Sequence, residues 1–345
     1  MKKVLVLGKE KLEIGTWEAV FFEKDTNLKY GQESWRRIKS LIWENGIDTI
    51  AGSKDNIHII NRLLWECDTL RQYILTDSDE AFQIEKANDR RNMLRWDMVA
   101  NKAKEDDVIE QSGWINSFTG QSFSEKEICE YAENALYKLK DICNDTINVL
   151  EIGIASGLTC MKIVPLVRKY TGLDISKRTL EKTRQMMERK NVKNVELFLG
   201  GGLDVEVIGV HDVHLVIMNS VAQYFPGYNY FIEVLRRCIR CMSRKGVIFV
   251  GDIMDLDKRE NYLRELKAAG GKASGEDLWY PQEFMKEVPA FLPEVCKTVI
   301  SKKEKYTIEN ELTRFRYDVI YEVDKEEKNN HGKTKFQFNK DLLQK

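Results

Sequence analysis

The stretch Val149-Leu150-Glu151-Ile152-Gly153-Ile154-Ala155-Ser156-Gly157 constrains the fold more than any other part of the chain. Ile147, Val149, Leu150 and Ile152 supply apolar side chains to both faces of one strand, which suits a parallel sheet covered by helices. Gly153, Ala155 and Gly157 follow at G-x-A-x-G spacing, where absent or minimal side chains let the backbone turn tightly and approach a ligand. Alone, such a turn is as consistent with an ordinary strand-to-helix connection as with a cofactor site.

The next strand shifts that balance. Lys169-Tyr170-Thr171-Gly172-Leu173-Asp174 ends in an acid 17 positions after Gly157. That is close to the ~20-residue spacing at which a carboxylate at a strand tip accepts hydrogen bonds from ribose hydroxyls. Glu151 precedes the turn and no third spaced glycine follows it, which favours S-adenosylmethionine over a dinucleotide. A dinucleotide's pyrophosphate needs a G-x-G-x-x-G helix start.

Several motifs in fixed order carry a family resemblance. They are the E-x-G-x-A-x-G turn, Thr171-Gly172-Leu173-Asp174-Ile175-Ser176, Asn219-Ser220-Val221-Ala222-Gln223-Tyr224-Phe225-Pro226, Ile248-Phe249-Val250-Gly251-Asp252, and Asn310-Glu311-Leu312-Thr313-Arg314-Phe315-Arg316-Tyr317-Asp318-Val319. With Gly113-Trp114-Ile115-Asn116-Ser117-Phe118-Thr119-Gly120 upstream, the chain from about Leu94 to Val323 resembles the class I methyltransferase domains of nonribosomal peptide synthetases and polyketide synthases. The resemblance implies an α/β, Rossmann-like sheet of strand order 3-2-1-4-5-7-6 with the last strand antiparallel. It implies S-adenosylmethionine as cofactor, S-adenosylhomocysteine as product, and a carrier protein with a phosphopantetheine-bound substrate as partner.

Bulk properties narrow the alternatives. With 345 residues the chain exceeds one ordinary domain, so a methyltransferase domain over 91–324 is expected beside a smaller α/β extension over 1–90 and a polar tail over 325–345. Lys+Arg 54 against Asp+Glu 55 leaves a net charge of -1, which gives no overall basic field for nucleic acid. No apolar run reaches the ~18–20 residues of a membrane span, and the run from Met1 to Gly8 is too short for a secretory signal, so a cytoplasmic protein is expected. Seven scattered cysteines fit reduced thiols. Cys238 and Cys241 form a C-x-x-C without a partner pair, and core packing is favoured there over zinc or redox chemistry.

In chain order, strands are expected at Lys3–Leu7, Ala19–Phe22, 48–52 and 73–76, with a helix carrying Trp35, Ile38 and Ile42 and another carrying Ile59, Leu63 and Leu64. Gly8-Lys9-Glu10-Lys11 lacks phosphate-turn spacing, so this unit reads as an extension rather than a second nucleotide domain. Glu80 to Asn101 suggests a helix, and Glu105-Asp106-Asp107 begins a loop. Ser124 and Glu127 make a capping box for a helix through Ile142, Pro165 ends the next helix early, and Ser176 caps the one after Asp174. Val295–Ile300 and Leu312–Val323 read as a hairpin, with Arg314 and Arg316 on a solvated face.

Ligands of an open α/β sheet lie at the carboxyl ends of the strands where the order reverses. Asp174, followed by Ile175, is the expected ribose ligand, and the turn with Glu151, Gly153, Ala155 and Gly157 faces the methionine end. Asn219 and Ser220 complete that end, and by the resemblance Asp204 meets the adenine. Trp114, Phe118, Gln223 and Tyr224 are expected around the acceptor, with packing as the competing role for the first two. Methyl transfer from a sulfonium is an in-line displacement that needs alignment and no metal. His211 and His214 lie at the wrong strand end and His58 and His331 outside the domain, so Tyr224, Asp252 and Glu311 remain as candidate proton acceptors for an amine or hydroxyl. Two other readings stay open: a freestanding small-molecule N- or O-methyltransferase, and a non-catalytic scaffold domain.

Overall fold

Alternation of buried strands with amphipathic helices generates one parallel sheet and one that is mostly parallel. The computed structural model describes residues 3–7, 18–22, 32–52, 59–60, 63, 67, 69–70, 72–75, 96–98, 114–225, 227–271 and 277–327. The chain divides into two compact units, one built mainly of Met1–Asn88 and the other of Asp89–Phe225 with Phe231–His331. The expectations for Gly8 to Lys11, Leu64, Thr76, Met93 and Leu94, Glu105 to Asp107, Gly113, His58, His331 and the tail beyond 327 lie outside the described residues.

In the first unit, β1 (Lys3–Leu7), β2 (Glu18–Phe22), β3 (Thr49–Gly52) and β4 (Gln72–Leu75) pair in the order β2-β1-β3-β4, all parallel. Val4, Leu5, Val6, Ile50 and Ala51 are buried on both faces, as a parallel sheet requires. Helix α1 (Gln32–Glu44) buries Ile38 and Ile42.

The second unit starts with α2 (Glu125–Leu139). Its capping box is formed: Glu127 N–H donates to Ser124 Oγ at 3.3 Å, and Ser124 N–H donates to Glu127 Oε2 at 2.9 Å. The chain then alternates through β5 (Asn148–Ile152), α3 (Leu158–Ile163), β6 (Lys169–Asp174), α4 (Lys177–Arg189), β7 (Val195–Leu199), β8 (Val213–Asn219), α5 (Tyr228–Cys241) and β9 (Met242–Met254). Helices α6 (Arg259–Ala268) and α7 (Gln282–Phe291), β10 (Val295–Ser301), α8 (Glu311–Phe315) and β11 (Arg316–Asp324) complete it. Pro165 does shorten α3, which passes into a single 3-10 turn at Val164–Leu166.

The sheet order β10-β11-β9-β8-β5-β6-β7, counted from β5 as strand one, is the expected 3-2-1-4-5-7-6 read from the other edge. Strand β11 runs antiparallel to both β9 and β10, and the remaining pairs are parallel. The order reverses at β5, flanked by β6 and β8, so the crevice opens above the glycine turn. Cys238 is fully buried in α5, in keeping with core packing. No described helix is long and apolar enough to cross a membrane.

The expected hairpin forms, with β10 antiparallel to β11, but its second strand begins at Arg316 and not at Leu312. Leu312 to Phe315 are helical because Asn310 Oδ1 accepts from Leu312 N–H at 2.9 Å and Thr313 N–H at 3.4 Å, capping a turn that alternating apolar residues disguise. Arg314 therefore lies on α8, paired with Glu265 and Glu309, while Arg316 opens β11 and turns inward. The shared solvated face does not exist.

Candidate active site

The β5 strand ends in backbone that only small residues accept easily. Gly153, Ala155 and Gly157 have φ of 75°, 46° and 82°. A Cβ on Gly153 would stand 2.5 Å from Val221 Cγ2, so the turn must pass close to the segment after β8. Leu173 O accepts from Gly153 N–H and Ile154 N–H at 2.8 and 2.9 Å, holding the turn against the tip of β6.

Asp174 completes that tip and is 8% exposed. Its Oδ2 accepts from Ala155 N–H at 3.0 Å and its Oδ1 from Ser176 N–H at 2.9 Å. Burial pushes the carboxyl up to about 6; the Ser176 and Ala155 amides oppose this, and the neighbouring Asp97 carboxylate adds to it. With the Ile175 amide also donating to it, the carboxylate has three of its about four lone-pair sites used and one left for a ribose hydroxyl. Ser156 Oγ and Gln223 Oε1 are buried without a hydrogen-bond partner among the described residues. Among the described residues, a buried acid without a cation, a small-residue turn and two polar atoms without hydrogen bonds at the switch point fit S-adenosylmethionine.

Not every expected cofactor residue faces the crevice. Glu151 turns into the core beneath it, where Tyr170 Oη donates to its Oε2 at 2.7 Å. Burial pushes this carboxyl up to about 8 against the pull of that bond, with Asp174 adding to the rise. Asp204 is exposed, and its Oδ2 accepts from Gly201 N–H at 2.8 Å, closing its own turn. Asn219 donates to Thr159 Oγ1 at 3.2 Å, and its Oδ1 lies so near Gly251 that a Cβ there would fall 2.2 Å away. Ile175 is half-buried beside Asp174.

A buried ion cluster borders the other side of the crevice. A bulge between β9 and β11 places Asp252 at φ 62°, and Asp252 N–H donates to Asp318 Oδ1 at 2.8 Å. Asp252 Oδ2 accepts from Arg316 Nη1 at 2.7 Å and from Ser220 Oγ, while Lys303 Nζ lies 3.4 Å from Oδ1. Asp318 is bound by Lys303 at 2.7 Å and Lys138 at 3.0 Å, and accepts from Asn134 Nδ2 at 2.9 Å. Burial would raise the Asp318 carboxyl, but Lys303 and Lys138 outweigh it and hold it below the usual range. A hydrogen bond joins Tyr131 to Ser220, and the Tyr131 hydroxyl is raised well above its ordinary value by burial and then by Asp252.

Of the proton-acceptor candidates, Asp252 sits among cations: Oδ2 pairs with Arg316, and Oδ1, buried without a hydrogen bond among the described residues, has Lys303 Nζ 3.4 Å away. Glu311 has no ion pair among the described contacts: its Oε1 accepts from Ser117 N–H at 3.2 Å, and its Oε2 is buried with no hydrogen-bond partner among the described residues. Arg316 stays charged, because Asp252 and then Glu311 outweigh the effect of burial, and Tyr224 lies in the same electrostatic neighbourhood. Trp114 packs on Tyr131 at 4.4 Å between centroids and Phe118 on Tyr262 at 5.3 Å, so both tuck into aromatic clusters.

Sequence reasoning missed Asp97, Tyr131, Lys138, Lys303 and the inward Arg316. Only Asp318 left a signal, an acid set within the apolar run Tyr317 to Tyr321.

Residues 149–246 match a family model described as a methyltransferase domain. A nonribosomal peptide synthetase of Alternaria alternata is 27% identical over 230 residues, covering 60% of this chain and 4% of that protein. An enniatin synthase of Fusarium equiseti is 32% identical over 235 residues, covering 60% of this chain and 7% of its own length. The chain thus spans a small fraction of the curated relatives it matches. The solved magnesium protoporphyrin IX methyltransferase of Synechocystis PCC 6803, with bound S-adenosylhomocysteine, is 12% identical, with a TM-score of 0.43 over 71% of this chain and 99% of that one. Sheet order, glycine turn and family match define a class I S-adenosylmethionine-dependent methyltransferase. More narrowly, the chain resembles the methyltransferase domains of nonribosomal peptide synthetases.

Proposed function

We propose that the chain transfers a methyl group to an amine or hydroxyl of a carrier-bound peptide or polyketide intermediate. The observation that carries the acceptor chemistry is Glu311 Oε2, a buried carboxylate oxygen without a hydrogen-bond partner among the described residues, beside the fixed charge of Arg316. The likeness to nonribosomal peptide synthetases supports the carrier.

Asp174 holds a ribose hydroxyl and the turn at Gly153 to Gly157 lies along the methionine end, with Asn219 and Ser220 across the crevice. When bound, S-adenosylmethionine supplies an electrophilic methyl carbon on a sulfonium, which is discharged as the methyl leaves. The chain's own task is to align an acceptor lone pair with that carbon and take up the acceptor's proton; orientation supplies on the order of 7 kcal/mol. Glu311 Oε2 receives the proton. Asp252 anchors Arg316 rather than acting as base, because both of its oxygens face cations or a hydroxyl donor. Tyr224 and Gln223 line the acceptor side.

The test presents aminoacyl- and hydroxyacyl-loaded carrier proteins, and the same acids free in solution, with S-adenosylmethionine. Methylation of loaded carrier, reduced about 100-fold by Glu311→Gln, is expected of a general base. Methylation of the free acids alone favours the freestanding reading, and no transfer to any acceptor by protein that binds the cofactor favours the scaffold.

A further inference from the structure

We propose that Trp96 and Asp97 are positioning residues for the cofactor, bracing the two rims of the crevice from a segment ahead of the glycine turn. The assignment rests on the cofactor site described above. Asp97 acts on the β6 rim: Ser176 Oγ donates to its Oδ1 at 2.5 Å, and Arg178 N–H donates to the same atom at 3.4 Å. Ser176 in turn uses its N–H to hold Asp174 Oδ1, while its Oγ accepts from Thr179 N–H at 3.1 Å. One hydroxyl therefore has both its proton and a lone pair committed, and the residue that fixes it fixes the loop holding the ribose carboxylate. Asp97 is close enough to Asp174 to raise its carboxyl.

Trp96 acts on the opposite rim. Its ring meets Tyr224 edge to face, centroids 5.1 Å apart at 77°. Tyr224 follows β8 and Asp174 ends β6, and β5 with its glycine turn runs between those two strands. Adjacent residues that grip the far side of β6 and the far side of β8 span the switch point, where the cofactor lies. Asp97 acts through Ser176 and Trp96 through Tyr224, so loss of either should free the same span.

The experiment measures S-adenosylhomocysteine affinity and release rate for wild type, Trp96→Ala, Asp97→Ala, Asp97→Asn and the double alanine variant. Each single alanine variant is expected to weaken binding about tenfold, chiefly through faster release. Asp97→Asn keeps an acceptor for Ser176 Oγ and is expected to stay within about threefold of wild type, and the double variant to be little worse than either single one. Affinity and release within about twofold of wild type for both alanine variants, in protein that melts cooperatively, overturns the assignment. If the alanine variants fail to fold, Trp96→Leu and Asp97→Leu, which keep bulk but remove the ring contact and the acceptor, decide: about tenfold losses with faster release support the bracing contacts, and binding within about twofold of wild type overturns them. A folded wild type that binds no S-adenosylhomocysteine refutes the cofactor site itself, and this assignment with it.

Discussion

Arg316 Nη1 lies 2.7 Å from Asp252 Oδ2, joining the first residue of β11 to the bulge of β9 at the carboxyl edge of the sheet. The bond turns an arginine inward from a strand end and neutralises an acid that is fully buried.

Removing that arginine leaves Asp252 with Lys303 as its one cation among the described residues, beside the Ser220 hydroxyl. Arg316→Ala should cost about 3–5 kcal/mol, the usual consequence of stripping one partner from a buried pair, and Arg316→Lys clearly less. Urea unfolding of the three proteins checks this. A loss under about 1 kcal/mol for Arg316→Ala would place the pair at the level of surface ion pairs.

Glu151 makes stability depend on pH. Its folded carboxyl titrates at about 8 against an ordinary 4.5, so between those values the folded state keeps a proton that the unfolded chain has shed. Stability from this group therefore falls as pH rises through that window, by about 1.4 kcal/mol per pH unit, and is level outside it. Glu151→Gln should match wild type near the low end and be the more stable protein near the high end, as measured by thermal melts in matched buffers. A difference independent of pH would contradict the assignment.

Asp174 gives cofactor binding a pH dependence of the opposite sense. A ribose hydroxyl donates to its ionised form, and the free protein's carboxyl titrates at about 6. Affinity for S-adenosylhomocysteine should fall as pH drops through that value, by about tenfold per unit below it. Asp174→Asn should bind more weakly, with a flatter profile. A flat wild-type profile across the same range would remove Asp174 as the ionised ligand.

The glycine turn should tolerate substitution unequally. At Gly153 a Cβ meets Val221 Cγ2 at 2.5 Å in left-handed backbone, whereas at Gly157 it meets only the Cε ends of Met186 and Met187 at 3.2 Å. Gly153→Ala is expected to cost about 1–3 kcal/mol and Gly157→Ala less, since the methionine tips can move aside. Chemical denaturation that reverses this order would contradict the turn geometry.

What the sequence revealed was local or periodic. The Ser124/Glu127 box, the Ser176 cap and the Pro165 break act within one turn of helix; strand and helix alternation points to a mainly parallel sheet, and its strand order follows from the family resemblance. The ion cluster was hidden because its members come from α2, β9, β11 and the charged turn after β10. A lysine in a polar turn, such as Lys303, carries no mark of burial. Helix α8 reads as strand in the sequence because Phe315 continues the alternation of Tyr317 and Val319, and the deciding bonds come from the Asn310 side chain. Glu151 was placed in the cofactor site by its motif, but a β-strand sends alternate side chains to opposite faces, and Glu151 faces Tyr170.

Calorimetric titration of S-adenosylhomocysteine into wild type and Asp174→Ala tests the cofactor site most directly. Micromolar binding to wild type, weakened by about tenfold or more (~1.4 kcal/mol) in the variant, is expected if Asp174 holds the ribose. No binding to folded wild type, or equal binding to both proteins, contradicts it.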